Sequence, residues 1–241
     1  MRALLIALVF LTRIPIPFRG VPHERDIGRS QLFYPLVGLL LGGVLVGVFF
    51  LLGGREPLLV AAILLAVWVL MTGGLHLDGL ADSADAWAGG LGDRERTLAI
   101  MKDPACGPSG VVFLILTLLI KWAALVVLVE WQLWEALLIA PVLGRAAVPL
   151  LFLTTPYVRP GGLGSALAEH MPRLELMAML AVLALVLLLF ASWPMVVAAV
   201  VGCLLLRWLM LRRIGGTTGD TAGATIELVE MIVLLTAALL I

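Results

Sequence analysis

Charge is scarce in this sequence, and cysteine scarcer still. Only 13% of its 241 residues are Asp, Glu, Lys or Arg, about half the share of an ordinary soluble domain, which excludes a water-soluble globule. The formal net charge is zero, so nothing in the overall balance draws a nucleic acid, and no nucleic-acid partner is expected. Cys106 and Cys203 stand far apart with no CxxC or Cys/His spacing, which argues against a disulfide framework or a zinc site. No Ser-His-Asp arrangement or reactive-cysteine context is visible, so no covalent enzyme intermediate is indicated. Gly161-Gly162-Leu163-Gly164 lacks the preceding strand of a dinucleotide fold and reads at most as a flexible active-site loop. No internal repeat is evident.

What is abundant is hydrocarbon, at 62% of residues. Apolar runs at about 33–53, 57–75, 108–129, 134–153, 174–192, 194–211 and 222–241 each approach the ~20 residues that cross a bilayer. The expected fold is all-α: one integral membrane domain over 1–241, a polytopic bundle of about seven spans with cytoplasmic interfacial helices. The opening stretch to Leu11 is apolar but rises only ~17 Å as a helix. With no small-x-small cleavage site after it, it reads as a retained half-helix.

Connections alternate between short and long. The corners at Gly53–Glu56, Glu130–Leu133 and Ser192–Pro194 fall on one side, and residues 1–32, 76–107, 154–173 and 212–221 on the other. The long-loop side holds Arg2, Arg13, Arg19, Arg25, Arg29, Arg94, Arg96, Lys102, Arg159, Arg173, Arg212 and Arg213, while the short side holds only Arg55. That bias places the long loops in the cytoplasm of a multi-pass inner-membrane protein. Trp131, Trp134 and Trp193 then form the aromatic belt opposite.

The chemistry concentrates in Gly73-Gly74-Leu75-His76-Leu77-Asp78-Gly79-Leu80-Ala81-Asp82-Ser83-Ala84-Asp85. Carboxylates beside hydrocarbon are costly and mark function. Asp78, Asp82 and Asp85 are spaced to share one helix face within about 60° of arc. Acids alone, among small apolar neighbours, repel unless a cation joins them. A hard divalent ion such as Mg²⁺, which prefers oxygen and bridges to phosphate, is the expected cofactor. His76 fits either a catalytic or a capping role.

Further along, Asp93 reads as an N-cap and Pro104 as a stop. Arg94, Arg96 and Lys102 offer cations either to a phosphate or to lipid headgroups, and Asp103 precedes a Gly-rich turn. Gly216, Thr217 and Thr218 sit at a helix N-terminus that could hold an anion. Asp220 and Glu227 are seven apart on that helix. Glu227 lies inside the last span and needs a partner: a metal, Arg145 or a ligand cation. Arg145 must face the bundle interior, Arg13 lies at the headgroup zone, and Lys121 is expected to snorkel toward the outer interface. Together these suggest metal-assisted phosphoryl chemistry at the cytoplasmic membrane face.

Three motifs in order, Gly74 to Asp85, Ile100-Met101-Lys102-Asp103, and Gly216-Thr217-Thr218-Gly219-Asp220-Thr221-Ala222-Gly223-Ala224, with the opening Phe10-Leu11-Thr12-Arg13-Ile14-Pro15, make the chain similar to the cobalamin (cobamide) synthases, a family of adenosylcobinamide-GDP ribazoletransferases. The resemblance implies a Mg²⁺-dependent transferase of late cobalamin biosynthesis. Adenosylcobinamide-GDP and α-ribazole, or its 5′-phosphate, would be its substrates and GMP its leaving group. It implies Asp78, Asp82 and Asp85 as metal ligands and Lys102, Asp103, Asp220 and Glu227 as site residues, taken as catalytic candidates together with His76 from the residue reading above. On the residue reading, Arg13, Arg94, Arg145, Gly216, Thr217 and Thr218 are the candidates to meet the donor's phosphates and nucleotide. Membrane lipids are expected partners, and a homo-oligomer is left open. Ser83 stands where Thr is commoner in the family, and Cys106 has no assigned role. The runner-up readings are a CDP-alcohol-type phosphotransferase, whose Asp-Gly-x-x-Ala-Arg signature is half present, and an ion-coupled transporter using Arg145, Glu227 and Glu230.

Overall fold

The computed structural model describes residues 2–17, 20–161, 163–190 and 193–240. Arg19, Gly162 and Ser192, which entered the loop and turn readings above, lie outside the described residues. The secondary structure there is helical: α1 Arg2–Leu11, α2 Glu24–Ser30, α3 Tyr34–Leu51, α4 Pro57–Thr72, α5 Leu75–Gly89, α6 Arg94–Ile100, α7 Pro108–Glu130, α8 Glu135–Thr154, α9 Leu163–Glu169, α10 Arg173–Phe190, α11 Trp193–Ile214 and α12 Gly219–Leu239. A single turn of 3₁₀ helix, Gln31–Phe33, makes α2 and α3 one run. The only β-type contact among the described residues is an isolated parallel bridge between Tyr157 and Thr217.

Five helical segments are individually long and apolar enough to cross a membrane: Glu24–Leu51, Pro108–Glu130, Glu135–Thr154, Trp193–Ile214 and Gly219–Leu239. α4 and α5 qualify only together, as a pair bent by 88°, which makes up to six. This is fewer than the seven apolar runs suggest. One of those runs breaks at Gly73-Gly74, and the 174–192 run ends at residues outside the description. The expected half-helix is α1, ending at Leu11.

α8 is the axis of the bundle. From Ala136 to Pro149 every residue but Leu138 is buried, and the helix packs against α3, α11 and α12. Gly38 and Gly42 of α3 make that approach possible. A Cβ on Gly38 would lie 2.4 Å from the Pro141 carbonyl oxygen, and one on Gly42 would lie 2.8 Å from Leu138 Cα. Small residues that let backbones touch are how membrane helices gain packing without a hydrophobic drive. One buried cluster centres on Leu64, Trp68, Leu125, Leu137 and Val233, and a second on Leu11, Tyr34, Leu41, Leu151 and Phe152. α7 and α11 show large exposed apolar side chains, among them Phe113, Leu116, Leu204 and Leu205, as lipid-facing surfaces do.

The long loops gather at one end. Arg94 reaches the last carbonyl of α11, Tyr157 pairs with Thr217, and Gly28 lies against the His170 carbonyl. At the opposite end the short corners meet, where Phe50 and Trp134 rings lie 6.1 Å apart.

Candidate active site

The site starts from the bend after α4. Gly73 and Gly74 both take positive φ, 64° and 70°, and their N–H groups donate back to the Leu70 and Val69 carbonyls, the double bond of a Schellman ending. A side chain at 73 would also be displaced by Arg13, whose Nε lies 2.1 Å from where its Cβ would sit. α5 therefore leaves the membrane-crossing direction and runs along the long-loop end. Leu77, Leu80, Ala81 and Ala84 are buried, while Asp78 is exposed and Asp82 and Asp85 are half-buried.

The three aspartates do not have equivalent surroundings. Asp85 Oδ2 accepts the Gly107 N–H at 2.7 Å and Oδ1 the Gly110 N–H at 2.8 Å. Both of its oxygens thus serve the N-terminus of α7, where a carboxylate is favoured by the exposed N–H groups. Gly107 and Gly110 leave room for it, since a Cβ on either would fall within 2.5 Å of an Asp85 oxygen.

Asp78 and Asp82 look instead toward the start of α12. Gly79 brings the helices together, because a Cβ there would stand 2.7 Å from the Asp220 carbonyl oxygen. The bridge holds the neighbouring loop: Thr217 N–H donates to Pro156 O, and Val158 N–H donates to Thr217 O, each at 2.9 Å. Arg159, two residues past Tyr157, is thereby placed on Asp220, Nη1 to Oδ2 2.7 Å. Burial first, then the charges of Asp78, Asp220 and Asp85, push the Asp82 carboxyl up to about 6, against the opposing pull of Arg159. Acids that raise one another's pKa in this way suit a cation among them. Their oxygen donors fit a hard divalent ion in kind, although no three His, Cys, Asp or Glu groups among the described residues already form a metal-holding set.

The other candidates are placed as follows. Thr218 caps α12 in a reciprocal capping box with Thr221, and Thr217 Oγ1 lies 2.9 Å from Thr221 Oγ1, so these hydroxyls serve the helix end. Gly216 is buried against the Pro156 carbonyl, and its missing side chain makes the bridge possible. Arg94 Nε donates to Ile214 O at 2.8 Å and closes the end of α11. Asp93 caps α6 as expected, accepting from Arg96 N–H. Lys102 and Asp103 are exposed but tethered near α12, where Thr218 Oγ1 donates to Met101 Sδ. Arg13 lies across the bend.

Arg145 and Glu227 belong to a separate, buried layer. Lys121 Nζ donates to Glu227 Oε2 at 2.8 Å and Glu230 Oε2 at 2.7 Å, and Arg145 Nη1 pairs with Glu230 Oε1. Gly144 leaves room for the Glu230 side chain. Lys121 does not snorkel: it is 1% exposed, lies 4.5 Å over the Trp68 ring, and finds in two glutamates a better partner than the interface. His76 is buried on the bundle side of α5, away from Asp82, and neither ring nitrogen has a hydrogen-bond partner among the described residues.

Comparison with known proteins decides the family. The family model described as cobalamin-5-phosphate synthase matches residues 3–238. This chain belongs to the cobalamin-5-phosphate synthase family. The chain is 59% identical to the adenosylcobinamide-GDP ribazoletransferase of Pseudomonas fluorescens, over 99% of this chain and 100% of the relative. Proteins of the same name from Pseudomonas savastanoi and Pseudomonas putida are 56% and 57% identical, covering 98% and 97% of each chain. No solved structure matches.

Within this cobalamin-5-phosphate synthase family member, sequence reasoning passed over Arg159 as one loop arginine among many. A usable signal was present: Tyr157-Val158, β-favouring residues flanked by Pro156 and Pro160, suit an extended segment able to pair.

Proposed function

We propose that this protein is an adenosylcobinamide-GDP ribazoletransferase, with its reacting centre where α5 and α12 cross. The observation that carries the reading is the meeting of Asp78, Asp82 and Asp220 beside a single arginine, at the long-loop end of a membrane bundle. A ribose hydroxyl of α-ribazole, or of its 5′-phosphate, attacks the phosphorus that carries cobinamide. The new P–O bond forms as the bond to the oxygen bridging to the GMP phosphorus breaks. GMP leaves with that oxygen, and the hydroxyl proton passes to a base.

Asp78, Asp82 and Asp220 are the residues that would hold Mg²⁺, which when bound supplies positive charge to the diphosphate and to the departing phosphate. Asp85 is committed to α7 and supports the site by fixing that helix. Arg159, with its planar fork of donors, suits a phosphate oxygen. We place the site on the cytoplasmic side of the inner membrane, following the basic bias of the long loops. A carrier reading has less to stand on, because the intramembrane charges are paired with one another.

The test is GMP release by purified protein in detergent, given adenosylcobinamide-GDP, α-ribazole and Mg²⁺. Asp82→Ala is expected to lose most activity and keep its fold, and Arg55→Ala, at the opposite end, to change little. Absence of GMP release from folded wild-type protein would overturn the reading.

A further inference from the structure

We propose that the flat base of the acceptor nucleoside is held in the cavity that α5, α8 and α12 enclose together with α1, α3 and α9, with His76 donating an imidazole N–H to its free ring nitrogen. The inference rests on the transferase reading above. The cavity is about 190 Å³. Its walls include the rings of Phe10, Tyr34 and Phe152, the aliphatic Val148 and Ile226, and the carboxylate residues Asp78 and Asp220. Through Phe10, Tyr34 and Leu75 it adjoins a second cavity of about 360 Å³.

Four moieties come to this enzyme, the corrin, adenine and guanine of the donor and the benzimidazole of the acceptor, and adenine differs from the last in bringing an amino donor that needs an acceptor of its own. The corrin macrocycle is far too large, given that an apolar cavity of about 150 Å³ takes a benzene. Guanine presents an amide and an amino group that need several partners; the carboxylates on this wall, Asp78 and Asp220, are assigned to the reacting centre, and apart from His76 and Tyr34 the other lining side chains are apolar. The benzimidazole of α-ribazole is flat and apolar, carries no donor, and has one unsubstituted ring nitrogen that accepts. His76 is the matching group. It is 3% exposed and lines the cavity, and both of its nitrogens lack partners among the described residues. A buried polar group is rarely left unsatisfied without a use for it. Lys121 and Arg145 face it from α7 and α8; their charges are met by Glu227 and Glu230, while Arg145 Nε and Nη2 have no hydrogen-bond partner among the described residues. With the base seated among the aromatic rings, the ribose lies toward Asp78 and Asp220, where its hydroxyl must be presented.

The experiment is equilibrium binding of α-ribazole to the full chain in detergent, without donor or metal, together with KM for each substrate. His76→Leu is expected to weaken α-ribazole binding about tenfold, the loss of one buried hydrogen bond, and to leave donor KM within twofold. An indole riboside, which lacks the accepting nitrogen, should bind wild type as weakly as α-ribazole binds the variant. Gly223→Ala adds a methyl to the wall without a clash, its Cβ standing 3.4 Å or more from its neighbours. It should raise acceptor KM alone, and it serves if His76→Leu does not fold. Unchanged acceptor binding in both variants, or equal rises in both KM values, would overturn the placement while GMP release by wild type kept the transferase reading. Failure of wild type to bind α-ribazole would overturn the placement, and absence of GMP release as well would overturn the transferase reading with it.

Discussion

Arg159 Nη1 lies 2.7 Å from Asp220 Oδ2, joining a loop after α8 to the first turn of α12 in the midst of a carboxylate cluster. Its side chain keeps 34% of its exposure, so the guanidinium is within reach of a ligand. We expect Arg159→Ala to slow GMP release about a hundredfold, the scale for losing a donor aimed at developing phosphate charge. Arg159→Lys, a point charge without the planar fork, should recover only part of this. Turnover of Arg159→Ala equal to wild type would show that the pair is only a loop tether.

Asp85 and Asp82 should fail in different ways. Removing the Asp85 carboxylate leaves the Gly107 and Gly110 N–H groups without their acceptor. Asp85→Ala should cost about 1–2 kcal/mol of stability, read as a lower unfolding midpoint in detergent. Asp82→Ala should not lower that midpoint, and at neutral pH should leave it at or above wild type, while abolishing turnover. The reverse pattern would exchange their roles.

The raised carboxyl of Asp82 makes a prediction about pH. Its folded pKa of about 6 exceeds the ordinary aspartate value of 3.8, so the folded state holds the extra proton. The contribution to stability is full below about 4 and is lost as pH rises through about 6. Asp82→Asn, which never charges, should match wild type in Tm near pH 4 and exceed it increasingly up to pH 6 and above. Mg²⁺ should narrow the gap at high pH. A difference flat across that window would show that Asp82 feels no crowding.

The buried charges should be intolerant of single losses. Glu230 accepts from both Lys121 and Arg145, so Glu230→Gln strands two cations on one remaining carboxylate. Breaking a buried pair this way costs about 3–5 kcal/mol, to be measured as loss of the folded fraction during thermal unfolding in micelles. A midpoint within a degree of wild type would refute the buried pairing.

Much of this architecture could be read from residues alone, because spans announce themselves as unbroken apolar runs and α1 is too short to be one. The crossing of α5 and α12 was partly legible: Asp78, Asp82 and Asp220 each stood out as acids beside hydrocarbon. What escaped was whatever depends on a distant partner. Spacing put Asp85 on the face of Asp78 and Asp82, but its acceptors' use is set by Gly107 and Gly110, more than twenty residues on. Lys121 looked free to reach the interface because Glu227 and Glu230 are over a hundred residues away in sequence. Arg159 needed the Tyr157–Thr217 bridge, a pairing no local pattern fixes.

Among the described residues, the fully formal charges buried in the bundle are two lysine or arginine cations and two glutamates. Their sum is zero. A transmembrane voltage does work of about 2.3 kcal/mol per elementary charge for each 100 mV, and on a layer of no net charge it does almost none. The layer as a whole is thus electrically quiet: the pull of an energised membrane on the two glutamates of α12 is opposed by its pull on Lys121 of α7 and Arg145 of α8, to which they are paired.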